Sequence, residues 1–148
     1  MAEFSWVADA ASGIRQRFVE ANSQRFELAE AGDPKSPKFA ILLHGFPELN
    51  FSWRHQMPEL AAKGWRVWAP NLRGYGASSK PEGVPAYRMN HLLNDVAALI
   101  DLAKSEAPAD EVMLVAHDWG AVIAWMFAIQ NTRPLDRLVI MNVPHPKC

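Results

Sequence analysis

Two uninterrupted apolar runs, Phe39-Ala40-Ile41-Leu42-Leu43 and Val112-Met113-Leu114-Val115-Ala116, constrain the fold of this chain more than any other feature. Each is short for a buried helix and lacks polar alternation, the pattern of a strand covered on both faces, as in a parallel sheet. Parallel strands need crossovers, and the residues between the runs supply them. Ser52 caps a helix through about Lys63, Gly64 ends it, and Trp65 to Ala69 gives a strand before Pro70. Tyr87 to Ala107 has helical spacing, with Leu92, Leu93, Val96, Leu99, Ile100 and Ala103 as its core face. Trp119 to Asn131 reads as a further helix, and Leu138 to Met141 as a last strand ending in Asn142-Val143-Pro144. Ahead of all these, Gln16 to Glu20 and Arg25 to Glu30 form two strands joined by Asn22-Ser23, and Gly32-Asp33-Pro34 breaks the pattern. The expected fold class is α/β: a doubly wound, mostly parallel sheet with right-handed crossovers and an antiparallel N-terminal hairpin.

A length of 148 residues, a net charge of -1 and 49% hydrophobic content fit one globular domain with a substantial core. Charges of both signs are scattered, which argues against a nucleic-acid partner. The opening MAEFSWVADA has no basic segment followed by an apolar one, and no apolar run is long enough to cross a bilayer, so the expected location is cytoplasmic, with no membrane partner. Cys148 is the sole cysteine and forms no internal disulfide.

In sheets of this kind chemistry gathers beyond the C-terminal strand ends. The most informative loop is Ala116-His117-Asp118-Trp119-Gly120, a sharp strand-to-helix turn with small residues two positions either side of Asp118. It reads as a nucleophile elbow, in which the central residue is strained and larger flanks would crowd the adjoining strand and helix. The competing reading is an Asp that only caps the helix. A second loop, His44-Gly45-Phe46-Pro47, favours the elbow, because the backbone N–H of Phe46 and that of Trp119 can together form an oxyanion hole. Pro47 restricts Phe46, and a cis peptide between them is expected.

With these residues the chain resembles the α/β-hydrolase superfamily and, within it, the soluble epoxide hydrolases. The resemblance runs from about Phe18 to Pro146 and is carried by His44-Gly45-Phe46-Pro47-Glu48, Ser52-Trp53-Arg54-His55-Gln56, Arg73-Gly74-Tyr75-Gly76-Ala77-Ser78, His117-Asp118-Trp119-Gly120-Ala121 and Asn142-Val143-Pro144-His145-Pro146. It implies attack by Asp118 on an oxirane carbon, an alkyl-enzyme ester, and hydrolysis by water activated by a histidine to give a vicinal diol, with no cofactor. Asp at the elbow independently argues against an esterase, since a carboxylate displaces leaving groups at sp3 carbon better than it transfers acyl groups. Haloalkane dehalogenases are the second reading: they share the Asp and the following Trp but commonly carry an amide where Phe46 stands. Fluoroacetate-type dehalogenases share the Phe-Pro loop but place arginine where Trp119 stands.

The resemblance further implies that residues 1–148 are the N-terminal portion of one core domain, truncated before a helical cap. The catalytic histidine, its acid partner and the cap tyrosines are then expected beyond Cys148, and the isolated chain is expected not to turn over. The last strand becomes an open edge that pairs with a complementary C-terminal segment or another chain. A non-catalytic fragment that binds a ligand or partner is the alternative from a different class. His44, Gly45, Pro47, His117 and Gly120 are read as shaping the site, with His44 and His117 in structural hydrogen bonds. His145 is within reach of the pocket but is read as part of the turn into the cap, and His55 and His91 are read in helical stretches. Trp53, Trp65, Trp68 and Trp125 read as packing, with Trp119 exposed at the elbow. A metal site built from His44, His117, Asp118 and His145 is disfavoured, because no short ligand spacing such as H-E-x-x-H occurs.

Overall fold

A computed structural model describes residues 12–147; the readings made on the opening decapeptide and on Cys148 lie outside them. A six-stranded sheet runs in the order β1-β2-β4-β3-β5-β6. β1 (Arg15–Ala21) and β2 (Gln24–Ala31) form the antiparallel hairpin. Asn22 and Ser23 both take positive φ, 49° and 57°, the geometry that two-residue hairpin turns require. β2 continues antiparallel onto β4 (Arg66–Pro70), while β3 (Lys38–Leu43) pairs in parallel with β4 and with β5 (Glu111–His117), and β5 with β6 (Arg137–Met141).

Helices cover both faces. Along β3 the side chains alternate: Phe39, Ile41 and Leu43 enter the core under α2 (Met89–Glu106) and α3 (Trp119–Ile129), whereas Ala40 and Leu42 enter a second core with Met57 of α1 (Gln56–Ala62). β5 divides in the same way, so both apolar runs are buried on two sides. All six residues expected on the core face of α2 are buried.

The first crossover differs from expectation. Ser52 is not a helix cap; it sits within a short 3-10 turn, Asn50–Trp53, and α1 starts at Gln56 with no side-chain cap. Pro58 accounts for this, since its ring and missing N–H are tolerated only in a first helical turn and would break a helix running from Ser52. Likewise α2 begins at Met89, because Pro85 favours a separate one-turn segment, Val84–Tyr87. No helix among the described residues is long and apolar enough to cross a membrane.

Candidate active site

β3 and β5 lie in parallel register with Leu43 opposite Ala116, so the residues that follow, His44 to Pro47 and His117 to Trp119, emerge side by side. The chain turns to opposite sides of β3 to reach β4 and β5, which opens the crevice where ligands bind in doubly wound sheets.

Asp118 sits at the top of this crevice with φ 55° and ψ -123°. Such a backbone costs a non-glycine residue on the order of 1–3 kcal/mol and persists only where its surroundings enforce it. Here the Ala121 N–H donates to the Asp118 carbonyl at 3.0 Å, and Gly120 lies so close to β3 that a Cβ would stand 2.5 Å from the His44 carbonyl oxygen and 2.6 Å from that of Leu43. The side chain makes no cap on α3, which disposes of the capping reading. Instead Oδ2 accepts the Phe46 N–H at 2.9 Å. That hydrogen bond, followed by the N–H of Trp119, holds the Asp118 carboxyl below the usual carboxylate range.

The facing loop is built around the same contact. Gly45 is a steric need, because a Cβ there would come 2.7 Å from Asp118 Oδ2 and would drive the carboxylate away from the Phe46 N–H. The Phe46–Pro47 peptide is cis, as the sequence suggested. Phe46 and Trp119 are 68% and 47% exposed, so two large apolar side chains border the carboxylate at the mouth of the crevice.

His91 lies within α2, whereas His55 stands ahead of α1 as its N-cap residue. His44 is fully buried: its Nε2 accepts the Leu72 N–H at 3.0 Å and its Nδ1 lies 2.9 Å from the Gly45 carbonyl oxygen. Burial pushes its pKa below the ordinary value of 6.5. His117 Nδ1 lies 3.5 Å from Glu48 Oε1. His145 accepts the Lys147 N–H within its own turn and meets the Trp125 ring edge-on at 4.8 Å. Among the described residues no three His, Cys, Asp or Glu side chains gather to hold a metal ion.

Sequence reasoning missed three contributors. Glu48, quoted only as part of a motif, reaches back to His117. Tyr75 sets its ring against His44 at 4.7 Å. Arg73 pairs with Asp95 at 2.7 Å with both side chains about 5% exposed, pinning the Asn71 to Ser79 loop to α2. For the last pair a signal existed: Asp95 falls beside Leu92, Leu93 and Val96 on an apolar helix face, and a carboxylate there requires a partner.

The chain belongs to the α/β-hydrolase family: the family pattern described as alpha/beta hydrolase fold matches residues 41–148. Epoxide hydrolase A of Mycobacterium tuberculosis is 42% identical over 129 residues, 87% of this chain and 38% of that protein. The AB hydrolase superfamily protein YfhM of Bacillus subtilis is 37% identical over 90% of this chain and 45% of its own length. Among solved structures, an epoxide hydrolase from Vigna radiata superposes with a TM-score of 0.80 at 39% identity, covering 92% of this chain and 44% of that one. Epoxide Hydrolase A from Mycobacterium thermoresistibile gives 0.81 at 39% identity, covering 88% and 40%. The chain thus spans less than half the length of these relatives.

Proposed function

We propose that this chain carries the nucleophilic half of an epoxide hydrolase that converts an epoxide and water to a vicinal diol through an ester on Asp118. The observation that carries the reading is a carboxylate at the elbow with one oxygen, Oδ2, already on the Phe46 N–H. The other oxygen, Oδ1, is left for attack. Its bond to an oxirane carbon forms as the ring C–O bond breaks, and the alkoxide takes a proton from an acid outside this chain. In the second step water adds to Cγ of the ester, and the negative charge develops on Oδ2, where the N–H groups of Phe46 and Trp119 stabilise it. Collapse expels the diol and restores the carboxylate. A depressed pKa suits this role, since Asp118 stays ionised and ready to attack across the neutral range.

Among the described residues no histidine near Asp118 is free to act as the base for the second step. Both nitrogens of His44 are engaged in its own surroundings, and His117 is turned to Glu48. We place the base, its acid partner and the cap in polypeptide beyond Cys148, packed against β6, in keeping with relatives more than twice as long. A haloalkane is the second reading, favoured by the exposed Trp119 and disfavoured by Phe46, whose side chain has no N–H for a halide.

Intact-mass measurement after incubation with an aryl epoxide tests the proposal, with the adduct mapped by peptide fragmentation. The expected result is one added epoxide on Asp118, absent in Asp118→Ala. A folded protein that gains no adduct and forms no diol would overturn it, and adduct formation with a primary haloalkane alone would move the reading to dehalogenation.

A further inference from the structure

We infer that His44 is a positioning residue for Asp118, acting through its neutral Nδ1–H tautomer to orient and polarise the Gly45–Phe46 peptide whose N–H holds the carboxylate. The backbone settles the direction of each bond. The Leu72 amide can only donate, so its 3.0 Å contact leaves Nε2 without a proton. A neutral imidazole then carries its proton on Nδ1, which donates to the Gly45 carbonyl oxygen at 2.9 Å. That carbonyl and the Phe46 N–H belong to one peptide group, and the Phe46 N–H donates to Asp118 Oδ2 at 2.9 Å. Three hydrogen bonds therefore run head to tail from Leu72 to Asp118, and in such a chain each bond strengthens the next, by roughly 10–30%.

The far end of the chain is fixed. Asn71, beside the first donor, gives its N–H to the Glu27 carbonyl at 2.8 Å, and its side-chain oxygen accepts the Asn50 N–H at 2.7 Å. The Tyr75 N–H closes back on the Leu72 carbonyl at 2.9 Å, which sets the Tyr75 ring edge against the imidazole. The charged group that acts on His44 is Glu48, which favours the imidazolium, but burial outweighs it and keeps the ring neutral. Around Asp118 the facing titratable groups are His117, with Glu48 beyond it, and Tyr75.

A buried histidine that merely satisfied its own hydrogen bonds would affect stability and nothing else. The two nitrogens can be separated: in Gln the amide end reaches the place of Nε2, and in Asn it reaches the place of Nδ1. His44→Gln keeps an acceptor for Leu72 but removes the donor to Gly45, while His44→Asn does the reverse.

The inference rests on Asp118 as the nucleophile, yet the test needs no epoxide, so the two can fail separately. The Phe46 amide proton shift and the Asp118 13Cγ titration are read by NMR on the full chain. In His44→Gln the Phe46 proton should move upfield and the Asp118 midpoint should rise, with thermal stability nearly kept. In His44→Asn both signals should stay near those of the unsubstituted protein while stability falls. Unmoved signals in folded His44→Gln, or equal movement in both variants, would overturn the inference. The unsubstituted protein gives a check that no folding defect can mask: long-range 1H–15N correlation must find His44 protonated on Nδ1 alone at neutral pH, and the Nε2–H tautomer or the imidazolium would sink the relay.

Discussion

The β3–β5 crevice and the β6 edge are built from strands of the same sheet and differ in how fully they are packed. Around the crevice both loops are fixed from behind: Gly120 lies against the β3 carbonyls, Leu72 holds His44, and the Arg73–Asp95 pair locks the intervening loop. At β6 only one face is packed. Leu138 and Ile140 join the core under α3, whereas Val139 and Met141, 38% and 37% exposed, border an apolar groove of about 470 Å3 shared with Leu42, Leu60, Met113 and Val115. The contrast teaches that the strained backbone of Asp118 is enforced from the β3 side, for β6 pairs directly with β5 and touches the turn only through the Asp118 N–H, which donates to the Met141 carbonyl at 3.4 Å.

The sharpest way to break the packed side is to remove one member of its buried ion pair. Asp95 accepts Arg73 Nε at 2.8 Å and Nη2 at 2.7 Å, and also the Asn22 side-chain N–H at 2.8 Å. Asp95→Ala leaves a guanidinium without its counter-ion in the interior, and the expected loss is about 3–5 kcal/mol in urea unfolding. A loss under about 1 kcal/mol would mean that the loop is held by its backbone bonds alone.

Next in size is Gly120→Ala. The methyl group would meet two main-chain oxygens of β3 that cannot swing aside, so overpacking of about 1–3 kcal/mol is expected, together with displacement of the elbow. The same substitution on an exposed helix face would stabilise by about 1 kcal/mol, and chemical denaturation with an amide NMR spectrum of Asp118 and Trp119 distinguishes the cases.

How much of this was legible in the sequence follows from the range of each signal. The two apolar runs, the core face of α2, the elbow and the cis peptide are local patterns, and each appears where its residues placed it. The start of α1 was misread because the cap preference of Ser52 was weighed without the stronger exclusion imposed by Pro58. Leu72 to His44, Glu48 to His117 and Arg73 to Asp95 join segments that are distant or separated by a loop, and no periodicity encodes which backbone amide will face which imidazole. For Asp95 the apolar face announced the need for a partner without naming it.

A smaller effect comes from pH. His44 has a folded pKa below 6.5, because burial penalises the imidazolium. On acidification the unfolded chain therefore takes up a proton before the folded one does. The stabilisation is complete above pH 6.5 and declines as pH falls toward the folded value, with a slope of at most about 1.4 kcal/mol per pH unit for one proton. Stability curves between pH 7 and 5 should show this decline, and His44→Gln should flatten it; an equal slope in the variant would assign the effect to other groups.

The smallest expected change tests the open β6 edge. Val139 and Ile140 are neighbours on β6 that point to opposite faces, Val139 into the groove and Ile140 toward α3. Val139→Lys should alter the stability of this chain by no more than about 0.5 kcal/mol, because its face is exposed, and should reduce self-association in light scattering, since a lysine blunts an open edge. Ile140→Lys should cost several times more. If polypeptide beyond Cys148 packs on β6 as proposed, the two substitutions should become alike in the longer protein, where a lysine at position 139 would enter an apolar interface unpaired. Persisting tolerance of Val139→Lys there would mean that the groove stays open to solvent and that the proposed base approaches Asp118 from another side.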